Sequence, residues 1–181
     1  SLREAILQAN STPNSGGPDV ISFENIQPSG PFVIQLDSPL PAVVEAVLID
    51  GYTAPNTQPN TDPDATNALL RVELTGSTMG IGNGLVLGGS GGSTVRGLVI
   101  RDFGPGINGN GHGILIQSND NTVAGNFIGT DVTGMSQGRN SNAAVGISLF
   151  DGTAEFKGNV IGGTSPAARN ILSGSAFGVQ L

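Results

Sequence analysis

The sequence predicts an all-β chain, in which short parallel strands wind into a coil that begins with one helix. Three observations support this fold class. Short runs of alternating apolar residues recur along the second half of the chain. Of the 181 residues, 37% are hydrophobic but only 12% are charged, and 29 are Gly and 11 are Pro. Such a composition suits many short strands joined by tight turns, because a disordered chain has fewer branched apolar residues and more charge.

The first element is a predicted helix with the sequence SLREAILQAN. Its apolar residues share one helical face; they are Leu2, Ile6 and Ala9. Ser1 and Glu4 have the spacing of a capping box, and the Pro- and Gly-rich segment STPNSGGP ends the helix. Stacked strands leave an apolar end that a terminal unit must cover, so we expect residues 1–19 to form a capping helix and loop. A peripheral amphipathic helix is the alternative.

Residues 20–76 are predicted to form the first, irregular coils. Strands are expected within 20–36, within 46–52 and within 70–76, where branched apolar residues dominate. Residues 53–69 are too rich in Pro and Asn for a strand and predict a polar loop.

Residues 77–181 contain two sets of short strands that recur in step. The first set comprises GLVL (84–87), GILI (113–116), GISL (146–149) and GVQL (178–181). The second set comprises TVRGLVI (94–100), TVAGNFI (122–128) and EFKGNVI (155–161). One strand cannot bury its apolar face alone, but parallel stacking of equivalent strands about 4.8 Å apart buries them all. We therefore predict regular coils of a parallel β-helix, within a single domain over 1–181 that is truncated C-terminally.

Two similar segments, GNFIG and GNVIG, place an Asn after a Gly at a predicted corner between strands. Asn126 and Asn159 are expected to lie one turn apart and to bond each other as an amide ladder. Leu98 holds the same position in the preceding turn, where the ladder should stop. The alternative is that these amides bind a ligand.

These segments resemble a known family. SLREAILQAN is similar to the SLREAI motif near the start of bacterial cell-surface β-helix proteins. AVLIDGYT, TVRGLVIRDFG, NTVAGNFIGTDVTG and NVIGGTSPAARNILSGSAFGVQL resemble the coil repeats of that family. The resemblance implies a right-handed parallel β-helix of the pectate-lyase-like superfamily, at an extracellular or bacterial cell-surface location. It implies no activity, because this architecture hosts lyases, hydrolases, epimerases, adhesins and inert stalks.

Composition excludes several function classes. The net charge is −7 and the seven basic residues are scattered, so nucleic acid is not an expected partner. The apolar runs are too short to span a bilayer. The absence of Cys excludes disulfides, thiolate nucleophiles and Cys-ligated metals.

A polysaccharide lyase or epimerase needs a base and cations on one outer face. The outward positions of the first strand set are Val86, Leu115, Ser148 and Gln180, which supply neither. The outward positions of the second set are Thr94, Thr122 and Glu155, followed by Arg96, Ala124 and Lys157. Near one corner Arg96, Arg101 and Asp102 are the candidate cluster, and a solvated exterior explains them equally well.

Other catalytic patterns are weaker. A hydrolase needs two carboxylates beside one bond, but the exposed acids form no pair at strand spacing; they are Asp102, Asp120, Asp131, Asp151 and Glu155. His112, the single His, has no second ligand for zinc. GPGING (104–109) matches a dinucleotide-binding pattern but precedes a strand instead of opening a helix.

Structural calcium is the one metal that the sequence suggests. Calcium takes oxygen ligands from polar loops, and candidates lie in two loops, at Asn60, Asp62, Asp64, Asn67 and Asp131. Pro63 interrupts the first loop and no Glu closes it. No catalytic, binding or metal-ligating residue is therefore assigned.

The sequence thus favours a non-catalytic extracellular module, a structural scaffold or adhesin with glycans as candidate ligands. A carbohydrate-active enzyme with active-site turns partly outside this fragment is the alternative. Polysaccharides or other cell-surface components are the expected partners, without membrane insertion, and copies could associate end to end or side by side. The variable segment 130–144 is the expected place for function.

Overall fold

A computed structural model describes the chain over residues 1–27, 30–76, 82–104, 111–136, 145–149 and 155–181. It begins with one α-helix, α1 (Leu2–Ser11). The strands that follow are β1 (Asp19–Ser22), β2 (Phe32–Gln35), β3 (Val47–Asp50), β4 (Val72–Thr75), β5 (Leu85–Leu87), β6 (Thr94–Arg96), β7 (Leu98–Arg101), β8 (Ile114–Ile116), β9 (Thr122–Ala124), β10 (Phe127–Ile128), β11 (Val145–Ser148), β12 (Val160–Ile161), β13 (Ile171–Leu172) and β14 (Phe177–Gln180). Two short 3-10 turns, Gly51–Thr53 and Pro166–Ala168, lie at corners.

These strands pair in parallel and form three sheets. Sheet A has the order β1-β3-β6-β9-β12, sheet B the order β2-β4-β7-β10-β13, and sheet C the order β5-β8-β11-β14. From β3 onward the chain therefore contributes one strand to sheet A, one to sheet B and one to sheet C, and then repeats this order. One such set of three strands is here called a pass. Each strand lies beside the equivalent strands of the neighbouring passes. The prediction of a mostly β chain with parallel sheets and one N-terminal helix is confirmed.

Sheet C has the register that the first strand set predicts. Leu85 pairs with Ile114, and Ile147 lies between Ile114 and Val179. The inward residues of β5, β8 and β11 are at most 3% exposed; they are Leu85, Leu87, Ile114, Ile116, Val145 and Ile147. In the last strand, β14, the corresponding Phe177 and Val179 are 62% and 43% exposed. Period-two alternation determined this register because a slip by one residue would turn every apolar side chain outward.

In sheets A and B the predicted alignment of the second strand set is confirmed for TVRGLVI and TVAGNFI but is wrong for EFKGNVI. Thr122 pairs with Val160, so Glu155 and Lys157 precede β12 and do not continue the outward columns of β6 and β9. The segment GNFIG contributes β10 to sheet B, whereas GNVIG contributes β12 to sheet A. The two similar segments therefore occupy different corners.

The amide ladder predicted between Asn126 and Asn159 is wrong for the same reason. Asn126 instead donates from Nδ2 to Asn170 Oδ1 at 3.3 Å. Asn159 accepts at Oδ1 from Asn121 Nδ2 at 2.9 Å. Two ladders therefore exist, one at the corner before sheet B and one before sheet A. The first stops at Leu98 as expected, where the backbone N–H donates to Asn126 Oδ1 at 3.0 Å.

Helix α1 has the predicted capping box and packs on the core. The hydroxyl of Ser1 accepts from the Glu4 backbone N–H at 3.3 Å, and the Glu4 carboxylate accepts from the terminal amine at 2.8 Å. At the other end of the helix, the Asn10 amide donates to the Ala42 carbonyl at 2.8 Å. The buried helix residues Leu2, Ile6 and Ala9 join a hydrophobic cluster that continues to Ile147.

Candidate functional site

The structure separates the cations that the sequence placed near one corner. Arg96 ends β6 in sheet A, and its guanidinium lies 2.6 Å from the carboxylate of Asp50. Arg101 ends β7 in sheet B, where it binds the carboxylates of Glu73 and Asp102. The predicted cluster of three therefore holds for Arg101 and Asp102 but not for Arg96.

The Arg101 ion cluster, which comprises Glu73, Thr75, Arg101 and Asp102, is nearly enclosed. Its carboxylate side chains are 5% exposed at Glu73 and 2% exposed at Asp102. The Thr75 hydroxyl also donates to Asp102, at 3.4 Å, and Asp102 adopts a left-handed φ of +65°. Charges removed from water require such partners. The enclosed charges on sheet B are therefore paired with one another.

In the polar loop, the predicted calcium ligands Asn60, Asp62 and Asn67 accept hydrogen bonds from the loop backbone. Asp62 Oδ1 accepts from the N–H groups of Asp64 and Ala65, at 2.9 and 3.0 Å. These two bonds hold the pKa of Asp62 below its usual value. No group of three His, Asp or Glu side chains suited to a metal occurs in the part of the chain described above. Structural calcium stays a prediction.

Among the other sequence candidates, Asp131 bonds within its own turn, whereas His112 bonds a residue from earlier in the chain. Asp131 accepts hydrogen bonds from the hydroxyl of Thr133 at 2.6 Å and from its backbone at 3.0 Å, which lower the Asp131 pKa. The His112 backbone N–H donates to Asn83 Oδ1 at 3.1 Å, in the turn before β8. Asp151, most of GPGING and residues 137–144 of the variable segment lie outside the described residues.

Residues 54–69, here called the strap, connect an early pass of the chain to a late one. Asn60 Nδ2 donates to the Pro166 carbonyl at 3.2 Å. The Arg169 guanidinium donates to the backbone carbonyls of Asp62, Pro63 and Ala65. The sequence predicts this loop but not its course, because its partners are more than a hundred residues away in the chain.

Tyr52 packs on the corner between sheets A and B. Its hydroxyl donates to the Gly125 carbonyl at 2.8 Å. Gly97 and Gly125 both have left-handed φ angles, +72° and +71°. A Cβ at Gly97 would lie 2.9 Å from a ring carbon of Tyr52, and a Cβ at Gly125 would lie 2.7 Å from the phenol oxygen. Glycine at both corners therefore permits the ring to lie close to the backbone.

Sequence reasoning did not select Tyr52. The available signal is that the chain has a single Tyr, directly before the predicted polar loop. A second signal is the Gly that follows the strand at the same place in two repeats, TVRG and TVAG. Together these observations indicate an aromatic ring held against a glycine corner.

A cleft of about 320 Å³, here called the corner cleft, lies between the strap and this corner. Its lining includes Tyr52, Pro59, Arg96, Ala124, Ser165 and Ala168. Arg96 and Ser165 supply polar groups, and the other four present apolar or aromatic surface. This combination of an apolar lining with a few polar groups is typical of small-molecule sites.

The pKa of Tyr52 gives a direct test of this corner. Burial of the phenol, together with the nearby Asp50 carboxylate, raises the pKa to about 12, while Arg96 acts in the opposite direction. Since Tyr52 is the only Tyr and Trp is absent, tyrosinate absorbance reports this group alone. We expect a midpoint near pH 12 in the native protein and about 10 in urea.

The same difference makes stability depend on pH. Above about pH 10 the unfolded chain releases the phenol proton while the folded chain still retains it, so the free energy of unfolding falls as the pH rises toward 12. Tyr52→Phe should remove this contribution in urea titrations at successive pH values. A native midpoint near 10 would mean that the phenol is solvated and would contradict the corner packing.

Comparisons with known proteins give no relative. No family model matches, nor does any curated protein or solved structure. No helix among the described segments is both long and apolar enough to cross a membrane. No relative therefore assigns a role to the corner cleft or to the Arg101 ion cluster.

Proposed function

We propose that the three sheets wind as one right-handed parallel β-helix, and that this helix is a non-catalytic module of a bacterial cell surface. Its role is that of a structural scaffold or adhesin, with polysaccharides or other surface components as partners. The observation that carries the proposal is the in-register stacking of equivalent strands in all three sheets. The resemblance of SLREAILQAN to a cell-surface motif supports the location.

Stacking of this kind gives a stiff body. Each pass of the chain contacts its neighbours, and stability is then approximately a sum of local contributions. Buried amides reinforce the stack, since Asn121 and Asn126 are both 0% exposed and both bond the next pass. A rigid body with a filled interior presents its loops at defined positions, which suits a scaffold.

The charges of the described residues favour structural roles as well. Every described cationic side chain has an acceptor within this chain; these cations are Arg3, Arg71, Arg96, Arg101, Lys157 and Arg169. The net charge of −7 therefore belongs largely to the exterior. An acidic exterior keeps a surface protein soluble and disfavours acidic polymers as ligands.

A second candidate, a carbohydrate-active enzyme, is supported by the Arg101 ion cluster. Enclosed charged groups gather at catalytic sites as well as in structural ion pairs. Such an enzyme would be a polysaccharide lyase or epimerase with active-site turns partly outside this fragment. Its chemistry would require one of the enclosed carboxylates to leave Arg101 and act as a base.

One assay separates the two candidates. The chain is incubated with polygalacturonate and with alginate, each with Ca²⁺. Unsaturated lyase product is followed by ultraviolet absorbance, and C5-epimerised product is followed by the ¹H NMR spectrum of the polymer. The proposal predicts no product above the uncatalysed background. Product that disappears in Arg101→Gln, while Arg71→Gln retains it and both variants remain folded, would establish the enzyme instead.

A further inference from the structure

We propose that the corner cleft binds a single neutral sugar ring, with Arg96 and Ser165 donating hydrogen bonds to its hydroxyls. The inference rests on the proposed function, because it names a ligand class for the scaffold.

The size and lining of the cleft suit one ring. A volume of about 320 Å³ is at the lower end of the range for ligand sites, about 300–1,000 Å³. Pro59, Ala124 and Ala168 contribute small or flat apolar surface. A pyranose ring has an apolar C–H side and a hydroxyl-bearing rim, so it can contact both parts of this lining.

The polar groups have hydrogen-bonding capacity left. A guanidinium has five N–H donors, and within the described residues the Arg96 hydrogen bond is to Asp50. The Arg96 side chain is 47% exposed. Ser165 precedes the 3-10 turn Pro166–Ala168 but makes no capping bond through its side chain. Both groups line the same cleft and can bind adjacent hydroxyls.

Charge selects a neutral ligand over an acidic one. Asp50 already compensates the positive charge of Arg96 across 2.6 Å, and the protein as a whole is acidic. An anionic sugar would have to compete with Asp50 and approach a negative surface. A hydroxyl can accept from the outer N–H groups of Arg96 while the ion pair stays intact.

The cleft is formed before any ligand arrives. Arg169 holds the strap through backbone carbonyls of Pro63 and Ala65, and Tyr52 is fixed through Gly125. Walls that are ordered in advance reduce the entropy lost on binding. Arg169 is therefore a positioning residue for the strap wall.

The test is an amide NMR titration of the whole chain with methyl β-D-glucopyranoside, methyl β-D-galactopyranoside, methyl α-D-mannopyranoside and sodium glucuronate. We expect at least one neutral glycoside to shift the amides of Gly97, Gly125 and Ala168, with affinity in the millimolar range, and glucuronate to bind more weakly. Ser165→Ala and Arg96→Gln should each weaken binding about three- to tenfold. Ser165→Ala is the decisive variant, since it alters an exposed hydroxyl and leaves the Asp50 ion pair intact.

Arg3→Gln is the matched control, because it removes the same charge from helix α1, where Arg3 donates to the Ser38 and Pro39 carbonyls away from the cleft and the strap, and it should bind as the unaltered protein does. The inference is overturned if no neutral glycoside shifts these amides, if glucuronate binds more tightly, or if Ser165→Ala leaves affinity unchanged. None of these results affects the scaffold proposal, which fails if the chain turns over a polysaccharide.

Discussion

Asn126→Ala is expected to lower the free energy of unfolding by about 3 kcal/mol, because it leaves buried backbone groups without partners. The Asn126 side chain accepts from the Leu98 N–H at 3.0 Å and donates to the Val95 carbonyl at 2.9 Å. Asn126 is 0% exposed, so water cannot replace these hydrogen bonds. Each unsatisfied buried group costs about 1–3 kcal/mol.

The measurement is a urea or thermal unfolding curve, in which the melting temperature should fall by roughly 6–12 °C. Asn25→Ala is the control, since Asn25 is exposed, and it should change stability by less than about 0.5 kcal/mol. Equal, small effects of the two substitutions would show that Asn126 does not join neighbouring passes of the chain.

Gly129→Ala should have a larger effect: we expect it to lower the free energy of unfolding by about 4 kcal/mol or to prevent folding. Gly129 has a φ of +81°, and a Cβ there would lie 1.9 Å from the Ser173 carbonyl oxygen. The passes cannot move apart to relieve this overlap, because the Ser173 N–H is bonded to the Ile128 carbonyl at 3.0 Å. The loss therefore combines backbone strain with a broken contact between passes.

Gly92→Ala separates these two contributions. Gly92 has a similar φ, +74°, but the nearest atom to its added Cβ is 3.7 Å away, on Ala46. We therefore expect Gly92→Ala to introduce backbone strain without a clash, and to lower the free energy of unfolding in urea by about 1–2 kcal/mol. If Gly129→Ala cost no more than Gly92→Ala, the stacking of Gly129 against Ser173 would be incorrect.

The sequence predicted sheet C well and the ladders poorly, for a physical reason. Strands of sheet C alternate over three or four residues, so their apolar side determines which residues pair. Strands β12 and β13 have two residues each, too few to specify a register. Asn126 bonds Asn170, which follows Arg169 and not a Gly. The repeated Gly-Asn pair therefore predicted Asn159 as the partner, which is wrong.

The candidate site was less predictable than the fold. Asp50 and Glu73 lie within strands. Their local sequence does not indicate an ion pair, because their partners Arg96 and Arg101 come from later repeats. The strap was predicted as a loop from its composition, but nothing in the local sequence indicates that Arg169 binds its carbonyls. Such contacts join residues far apart in the chain and can be predicted only when the arrangement of all the strands is known.

Engineered cross-links test the stacked register most directly, since the chain contains no native Cys. Thr94 pairs with Thr122 in sheet A, and Val86 pairs with Leu115 in sheet C. Cys pairs at these positions lie about 4.8 Å apart along the stack, within reach of a disulfide. We expect both pairs to oxidise rapidly in the folded protein and a Cys pair at Thr122 and Glu155 to stay reduced. Rapid oxidation of the 122–155 pair, with the other two remaining reduced, would contradict the stacked register.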